Sequence, residues 1–228
     1  MYNEPTCCLS INLQKSTAAS AKLNHRGEEL VFITEPHARN GKILTLDRAR
    51  GKIFASADPG KRPRAALRVS EGLEPWAAPD FTDGDMATAI VKLQGVSTFG
   101  CSLYLDINYE VQKPLFLKLI DHCEAGGLPL VCSMDSNAHS SLWGCSEENK
   151  RGEDLGEVLE SKLLLVRNVG TVPTFKTSRA QSIIDVTITN VYADRLLNLE
   201  GWRVNTNEES LSDHRYINFN LGKYRVRK

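Results

Sequence analysis

The stretch "LPLVCSMDSNAHSSLWG", residues 128–144, decides the fold of this chain. Its apolar start, Leu128 to Cys132, predicts a buried β-strand. Polar side chains follow this strand, namely Asp135 and Asn137, and the indole of Trp143 comes a few residues later. In layered α/β folds, the ends of strands and the loops after them form the ligand crevice. The stretch therefore predicts an α/β protein whose functional site lies where this strand ends.

The composition of the 228 residues fits an ordinary globular protein, with 41% hydrophobic and 25% charged residues. No apolar run approaches the roughly 20 residues that cross a membrane, so no membrane partner is predicted. The formal net charge of zero argues against a protein that coats nucleic acid through bulk charge. Two basic clusters, "KRPRAALR" (61–68) and "KYRVRK" (223–228), each predict a solvated loop or terminus when taken alone.

The six cysteines indicate an intracellular, reduced protein. No pair has the C-x-x-C spacing of a zinc or redox motif, and several lie inside apolar runs, where a free thiol behaves as a small hydrophobe. The first residues carry no basic segment followed by an apolar one, so no signal peptide is predicted.

Strands and helices alternate irregularly, which predicts two sheets packed face to face with helices outside. No repeat, low-complexity tract or linker divides the chain, so a single domain over residues 1–228 is predicted. The predicted strands are Thr6–Asn12, Leu30–Pro36, Met86–Leu93, Phe99–Ile107 and 128–132, followed by "VPTF" (172–175), "SIIDVTITN" (182–190) and "HRYINFNL" (214–221). The predicted helices are Ser16–Leu30, Val111–Gly127 and Gly152–Val166.

Further polar side chains fall at the ends of these strands. Asn12 ends the first strand, Glu35 ends the second, and Asp213 and His214 open the last. Asp185 lies inside an apolar run, and burying such a carboxylate is unfavourable unless it has a partner. His214 is the natural partner, because a buried Asp that accepts from a His ring fixes its tautomer and raises its basicity.

This set of residues predicts the hydrolysis of a phosphate ester. Glu35, Asp213 and Asn12 offer hard oxygen atoms, which suit Mg²⁺. Asp135 and Asn137 share a face of their strand, so one can orient a water while the other donates to a phosphate oxygen. Ser136 between them is expected to point away from the site.

The ordered motifs resemble the exonuclease–endonuclease–phosphatase superfamily, and more closely the endonuclease domain of non-LTR (LINE-type) retrotransposons. The similar segments are "DSNAHSSLWG", "VPTF", "DVT", "EGWRV" and "SDH", and the resemblance covers about residues 7 to 221. It implies a four-layer α/β sandwich of two packed mixed β-sheets flanked by helices. Two positions depart from the family pattern, where Thr34 replaces a Gln and Met134 replaces a Gly.

The resemblance also implies roles for individual residues. Glu35 is the main Mg²⁺ ligand with Asn12 beside it, and Mn²⁺ is an expected substitute. Tyr104 contacts the scissile phosphate, while Asp135 orients or deprotonates the attacking water. Asn137 stabilises the transition state, Asp185 and His214 form the acid–histidine pair at the phosphate, and Asp213 completes the acidic cluster. Thr174 and Ser212 line the site. A hairpin that carries Lys176, Arg179 and Gln181 probes DNA.

His139 and Trp143 belong to the opening stretch, but we expect both to be scaffold residues rather than chemical groups. The intact polar positions predict an active Mg²⁺-dependent endonuclease that nicks one strand of double-stranded DNA. The expected products are a 3′-hydroxyl, which primes target-primed reverse transcription, and a 5′-phosphate.

The resemblance further implies a nuclear protein in which this domain is fused to a reverse transcriptase. Three alternatives stay open at this stage. They are an abasic-site repair endonuclease, a phosphatase of the same superfamily, and a catalytically inactive module that only docks on DNA.

Overall fold

Two six-stranded mixed β-sheets form the centre of the protein in a computed structural model that describes residues 4–46, 51–58 and 60–223. In chain order the strands are β1 (Thr6–Asn12), β2 (Leu30–Thr34), β3 (Ala38–Arg39), β4 (Lys42–Ile43), β5 (Lys52–Phe54), β6 (Ala65–Val69), β7 (Trp76–Ala77), β8 (Met86–Leu93), β9 (Val96–Tyr104), β10 (Leu130–Asp135), β11 (Leu164–Val166), β12 (Phe175–Lys176), β13 (Gln181–Ser182), β14 (Asp185–Asn190), β15 (Leu197–Val204) and β16 (Ile217–Lys223). The α-helices are α1 (Thr17–Leu23), α2 (Pro114–Gly126), α3 (Lys150–Ser161) and α4 (Val191–Leu196).

Each sheet mixes parallel and antiparallel neighbours. The first has the order β15-β16-β1-β2-β6-β5, in which β1 and β2 are parallel. The second has the order β11-β14-β10-β9-β8-β7, in which β9 and β10 are parallel. The ends of β1, β2, β9 and β10 can therefore meet at one edge of the stacked sheets.

Three apolar clusters separate four layers, as the resemblance implied. The middle cluster lies between the sheets and joins Phe32 and Leu67 of the first to Val91 and Val131 of the second. One outer cluster packs α1 on β1 and β2. The other packs α2 and α3 on the second sheet and contains Met134. The four-layer sandwich is confirmed, and Met134 is explained as a core residue beneath the site.

Polar side chains also join the sheets at fixed points. The Ser133 hydroxyl donates to Ser10 Oγ at 2.7 Å, and Ser102 Oγ donates to the carbonyl of Ile33 at 2.8 Å. Buried hydroxyls of this kind need partners, so they fix how one sheet sits on the other. Within the described ranges, none of the helices has the length and apolar character needed to cross a membrane.

Several predicted elements need correction. The helix predicted for Gly152–Val166 is wrong at its end, because Leu164–Val166 is the strand β11. The helix predicted for Ser16–Leu30 stops at Leu23, where Asn24 caps it. Asp213 and His214 precede the last strand rather than opening it, since β16 begins at Ile217.

The basic segment at residues 61–68 is not simply a solvated loop. It runs into β6, and Arg68 is fully buried with its guanidinium donating to the carbonyl oxygens of Leu23 and Arg26. These carbonyls, at and just after the end of α1, explain why a charged residue sits in the strand. Of the basic segment at the end of the chain, residues 224–228 lie outside the described residues.

Candidate active site

The two sheets bring the ends of β1, β2, β9 and β10 together with the beginning of β14. Tyr104 of β9 lies opposite Asp135 of β10, and Asp135 lies opposite Asp185 of β14. The first sheet contributes Asn12 at the end of β1 and Glu35 directly after β2. The Asn12 side-chain amide donates to Asp135 Oδ2 at 2.7 Å, which ties the end of one sheet to the end of the other.

Three buried side chains form what we call the inner cluster, namely Asp135, Asp185 and His214. Their exposures are 2%, 3% and 5%. His214 Nδ1 lies 2.8 Å from Asp185 Oδ2, and His214 Nε2 lies 4.0 Å from Asp135 Oδ2. One ligand atom from each residue lies within 4.8 Å of the others, so the group can hold a metal ion or an anionic substrate flanked by acid and base. The predicted Asp185–His214 pair is present.

Burial changes the acidity of Asp135. Loss of solvent around its carboxyl, followed by the charge of Asp185, raises the pKa of Asp135 to about 7. The charge of His214 and hydrogen bonds from Asn12 and Asn137 act in the opposite direction. A carboxyl with a pKa near 7 is suited to exchanging a proton with water at neutral pH.

The pKa of His214 is also raised, but by neighbouring charge rather than by burial. Burial by itself lowers the pKa of His214, but the charge of Asp185 and the hydrogen bond to it outweigh that effect. With further help from Asp135 and Glu35, the pKa of His214 rises to about 9. Its ring also packs edge-on against Phe175, with centroids 5.1 Å apart. The imidazole is therefore held in place and carries a positive charge at neutral pH.

Thr174 and Ser212 hydrogen-bond to the backbones that carry the inner cluster, and their predicted role in lining the site stays a prediction. Thr174 Oγ1 accepts from the backbone N–H of Ile184 and of Asp185, both at 3.1 Å. Ser212 Oγ donates to the carbonyl of Asn12 at 2.8 Å and accepts from the N–H of His214 at 3.2 Å. The two hydroxyls thus fix the backbones that carry the acid–histidine pair.

A second, more exposed group surrounds the inner cluster, and we call it the rim: Gln14, Lys15, Glu35 and Asp213. Lys15 Nζ lies 2.7 Å from Glu35 Oε1, and Asn12 Nδ2 lies 3.4 Å from Glu35 Oε2. Gln14 Nε2 donates to Asp213 Oδ2 at 2.6 Å, and the Asp213 N–H donates back to Gln14 Oε1 at 3.1 Å. Asp213 is thus held at the edge, outside the buried group.

Asn12 presents its amide nitrogen to both acids. Its Oδ1 accepts from the N–H of Gln14 at 2.7 Å, which fixes the orientation of the amide. In this arrangement Asn12 holds Asp135 and Glu35 near each other as a hydrogen-bond donor. Its predicted role as an oxygen ligand beside Glu35 stays a prediction, as does that of Asp213.

Tyr104 faces the carboxylates of the site. Loss of solvent, then the charges of Glu35, Asp135 and Asp106, raises the pKa of Tyr104 to about 12, so the phenol keeps its proton. The guanidinium of Arg64 lies over its ring, 4.9 Å from the centroid. Arg64 is held in turn by ion pairs with Asp85 and Asp106. Sequence reasoning missed Arg64, although it lies in the basic segment at 61–68.

Asn137 lies in the loop after β10 with a left-handed φ of 47°. Its N–H donates to Asp135 Oδ1 at 3.2 Å, and its Nδ2 donates to the carbonyl of Leu105 at 3.0 Å. Arg151 binds the same loop, with donors on the carbonyls of Ser136 and Leu105 at 3.1 Å. Sequence reasoning also missed Arg151, because no local pattern shows that a helical arginine reaches two distant loops.

The other residues of the opening stretch are scaffold, as expected. Ser136 points away from the site and donates to the carbonyl of Ile184 at 2.7 Å. The indole of Trp143 is buried and donates to the carbonyl of Ile183 at 3.1 Å. The backbone of His139 approaches α3 so closely that a Cβ on Gly152 would meet the His139 carbonyl at 1.8 Å. This contact explains the glycine two positions into α3.

The predicted hairpin is present. Strands β12 and β13 pair through Phe175–Ser182 and Lys176–Gln181, and the Thr177 N–H closes the turn on the Ala180 carbonyl at 2.8 Å. The N–H of Lys176 donates to the carbonyl of Asp213 at 2.8 Å, so the hairpin is attached to the rim. The side chains expected to contact DNA are exposed, namely Lys176, Arg179 and Gln181.

The sandwich and its strand-end acids define the exonuclease–endonuclease–phosphatase fold. Residues 100–218 match the model of the family described as "Endonuclease-reverse transcriptase", which is more than half of the chain. The chain belongs to that family. It is also 33% identical over 139 residues to the "Putative 115 kDa protein in type-1 retrotransposable element R1DM" of Drosophila melanogaster. That match takes in 56% of this chain and 13% of the relative, so the chain spans only a small part of the relative's length.

Solved structures agree with this assignment. The endonuclease domain of TRAS1, a telomere-specific non-LTR retrotransposon, is 28% identical with a TM-score of 0.74, and the match covers 98% of this chain and 100% of that one. The AP endonuclease LMAP from Leishmania major has a TM-score of 0.69 at 10% identity, covering 97% of this chain and 88% of that one. The second likeness shows a shared fold alone.

Proposed function

We propose that this chain is a divalent-cation-dependent DNA endonuclease that nicks one strand and leaves a 3′-hydroxyl and a 5′-phosphate. The observation that carries the proposal is the inner cluster, in which a buried Asp185–His214 pair faces a buried Asp135 at the strand ends. Glu35 supplies a further carboxylate from the opposite sheet. Similarity to the endonuclease domain of a telomere-specific non-LTR retrotransposon favours DNA as the substrate.

The donor atoms present suit a hard divalent cation. Asp135, Asp185 and Glu35 offer carboxylate oxygens, and Glu35 is the least buried of the three. Mg²⁺ is the cation that such a set favours, with Mn²⁺ as a substitute. When bound, the cation supplies positive charge that stabilises the phosphoryl group and the departing oxygen.

The side chains of the chain itself account for the rest of the chemistry. Asp135, oriented by Asn12 and the N–H of Asn137, accepts a proton from the attacking water. His214, charged and held by Asp185, places its Nε2–H where it can donate to a phosphate oxygen. The neutral phenol of Tyr104 is a second donor from the neighbouring strand.

Several wider properties follow from the family. We infer that the domain acts within a longer polypeptide that also carries a reverse transcriptase, and that the nicked 3′-hydroxyl primes reverse transcription at the target. Its substrate is then chromosomal DNA, and its place of action is the nucleus. The hairpin residues Lys176, Arg179 and Gln181 are expected to contact the duplex beside the cut.

The direct test is to incubate supercoiled plasmid with the protein in Mg²⁺ or in EDTA and to map the ends of any nicks. We expect nicks only with the divalent cation, and DNA ligase should reseal them because their ends are a 3′-hydroxyl and a 5′-phosphate. Asp185→Asn should abolish nicking, whereas the matched surface variant Asp121→Asn should behave as wild type.

Three results would contradict the proposal. Strong preference for an abasic duplex over intact DNA would indicate a repair enzyme. Release of inorganic phosphate from phosphomonoesters, with plasmid left intact, would indicate a phosphatase. Plasmid that is bound but never cut, in any divalent cation, would indicate an inactive docking module.

A further inference from the structure

Three side-chain-bearing residues at the rim adopt the left-handed backbone conformation. Gln14 has a φ of 50°, Lys15 a φ of 60° and Glu35 a φ of 45°. Non-glycine residues rarely adopt this conformation, and it persists only where the surrounding structure imposes it. Three such residues in contact point to a function for the side chains that they place.

The strained residues bring two segments of backbone together. The N–H of Lys15 donates to the carbonyl of Glu35 at 2.8 Å, and the N–H of Leu13 donates to the carbonyl of Thr34 at 2.9 Å. The consecutive left-handed residues turn the chain back over the end of β2. As a result, Lys15 Nζ lies 2.7 Å from Glu35 Oε1.

Lys15 and Gln14 have different tasks in this turn. Gln14 is bonded to Asp213 through both ends of its amide, so its side chain is fixed. Lys15 makes its ion pair with Glu35 while 47% of its side chain is exposed, and the Glu35 side chain is only 13% exposed. A flexible ammonium therefore covers the accessible side of the carboxylate that is expected to bind a cation.

We propose that Lys15 is a phosphate-binding residue that is held in reserve on Glu35. In the metal-free protein its ammonium neutralises the carboxylate. Once a divalent cation takes that carboxylate, the two positive charges repel each other, and Lys15 moves to a backbone phosphate of DNA. The inference rests on the proposed function and assigns this chain a phosphate contact on the Glu35 side of the cut.

The first test measures metal affinity in the absence of DNA by titrating Mn²⁺ into metal-free protein in a calorimeter. Lys15→Gln removes the competing charge, so it should bind Mn²⁺ about two- to fivefold more tightly, the factor expected for a half-exposed ion pair. Lys15→Arg keeps the charge and should stay close to wild type. Glutamine and arginine both tolerate the left-handed conformation about as well as lysine does.

Lys92→Gln is the matched control. Lys92 has the same 47% exposure and lies 3.1 Å from Glu74. It sits near the end of β8 that is remote from Tyr104, because β8 runs antiparallel to β9 and Lys92 pairs with Ser97. Lys92→Gln removes a charge that is far from the site, so its affinities for Mn²⁺ and for DNA should stay close to those of wild type.

The second test measures how binding to a short random-sequence duplex depends on salt, in the His214→Ala background so that turnover does not interfere. With a divalent cation present, Lys15→Gln should reduce the slope of log affinity against log salt by about one, the loss of one phosphate contact. In EDTA the slopes should coincide, because Lys15 then remains on Glu35. A purely structural role for Lys15 would not produce this dependence on the cation.

Equal Mn²⁺ affinity for Lys15→Gln and wild type, or an equal salt slope in the divalent cation, would overturn the proposal. The proposed function can then still stand, since wild type would bind Mn²⁺ and nick plasmid. If wild type does neither, the proposed function and the role of Lys15 both fail.

Discussion

The inner cluster and the rim each hold two acids, but in opposite surroundings. Asp135 and Asp185 are buried and receive hydrogen bonds from Asn12, backbone groups and His214. Glu35 and Asp213 are partly exposed; Glu35 pairs with the flexible side chain of Lys15, and Asp213 with the fixed amide of Gln14. Burial and the charge of Asp185 raise the pKa of Asp135, and the charge of Asp185 raises the pKa of His214, because little water screens these charges. Under the proposed mechanism, the inner cluster carries the reaction and Glu35 of the rim changes partner when a cation binds.

The largest expected effect is the loss of His214. His214→Ala should lower the nicking rate by about 10³-fold, since it removes the charged donor and leaves the Asp185 carboxylate buried without its partner. Affinity for DNA should change by no more than about threefold, because the rim and the hairpin remain. Initial rates on supercoiled plasmid and equilibrium binding in EDTA check the two parts.

His122→Ala is the control, since His122 is exposed on α2 and packs against Phe81 and Phe99 rather than near the inner cluster. If His214→Ala loses DNA binding as strongly as nicking, His214 is needed to stabilise the fold rather than for the reaction.

The next effect is on stability. The pKa of Asp135 is raised from 3.8 to about 7, so its contribution to folding is present below pH about 4 and is lost as pH rises through 7. The pKa of His214 is raised from 6.5 to about 9, so its contribution is present below pH about 6.5 and is lost as pH rises through 9. The metal-free protein should therefore become steadily less stable from pH 5 to pH 9.

Asp135→Asn removes the part of this pH dependence that comes from the Asp135 carboxyl. At pH 8 it should raise the free energy of unfolding by about 2 kcal/mol, because the buried charge and its repulsion from Asp185 disappear. Urea denaturation in EDTA at several pH values measures the change. If Asp135→Asn is less stable than wild type at pH 8, the hydrogen bonds to the Asp135 carboxylate stabilise its charge more than its burial indicates.

The smallest effect is expected at the rim. Asp213→Asn should lower nicking by less than about tenfold, since Gln14 can still hold the side chain and the carboxylate lies outside the inner cluster. The initial rate on plasmid at saturating Mg²⁺ is the measurement. A loss as large as that of Asp185→Asn would place Asp213 among the groups that bind the cation, and the division into inner cluster and rim would be wrong.

The sequence predicted the sandwich well because its strands are strongly apolar. The bounds of β1 and β8 agree with their patterns, and Asp185 was correctly paired with His214 from the unfavourable burial of a lone carboxylate. The strand β6 was missed because its buried Arg68 reads as surface charge. That arginine is satisfied by carbonyls more than 40 positions away, which no local pattern reveals.

Parts of the site were beyond prediction for the same reason. The contact of Lys15 with Glu35 depends on two left-handed residues in succession, and sequence propensity predicts neither. Arg64 and Arg151 act through groups on other strands and loops. The sequence thus identifies the polar residues that the structure brings together, while the partners that set their charge and position emerge only from the packed structure.

The bond from Ser212 to the carbonyl of Asn12 joins residues 200 positions apart. Contacts that distant form only when nearly the whole domain is available to fold. A nascent chain in which Glu35 and Asp135 have been synthesised but His214 has not cannot have an assembled site. The inner cluster therefore cannot be completed before residues 212–214 have been synthesised, so the order of the motifs along the chain delays the assembly of the site.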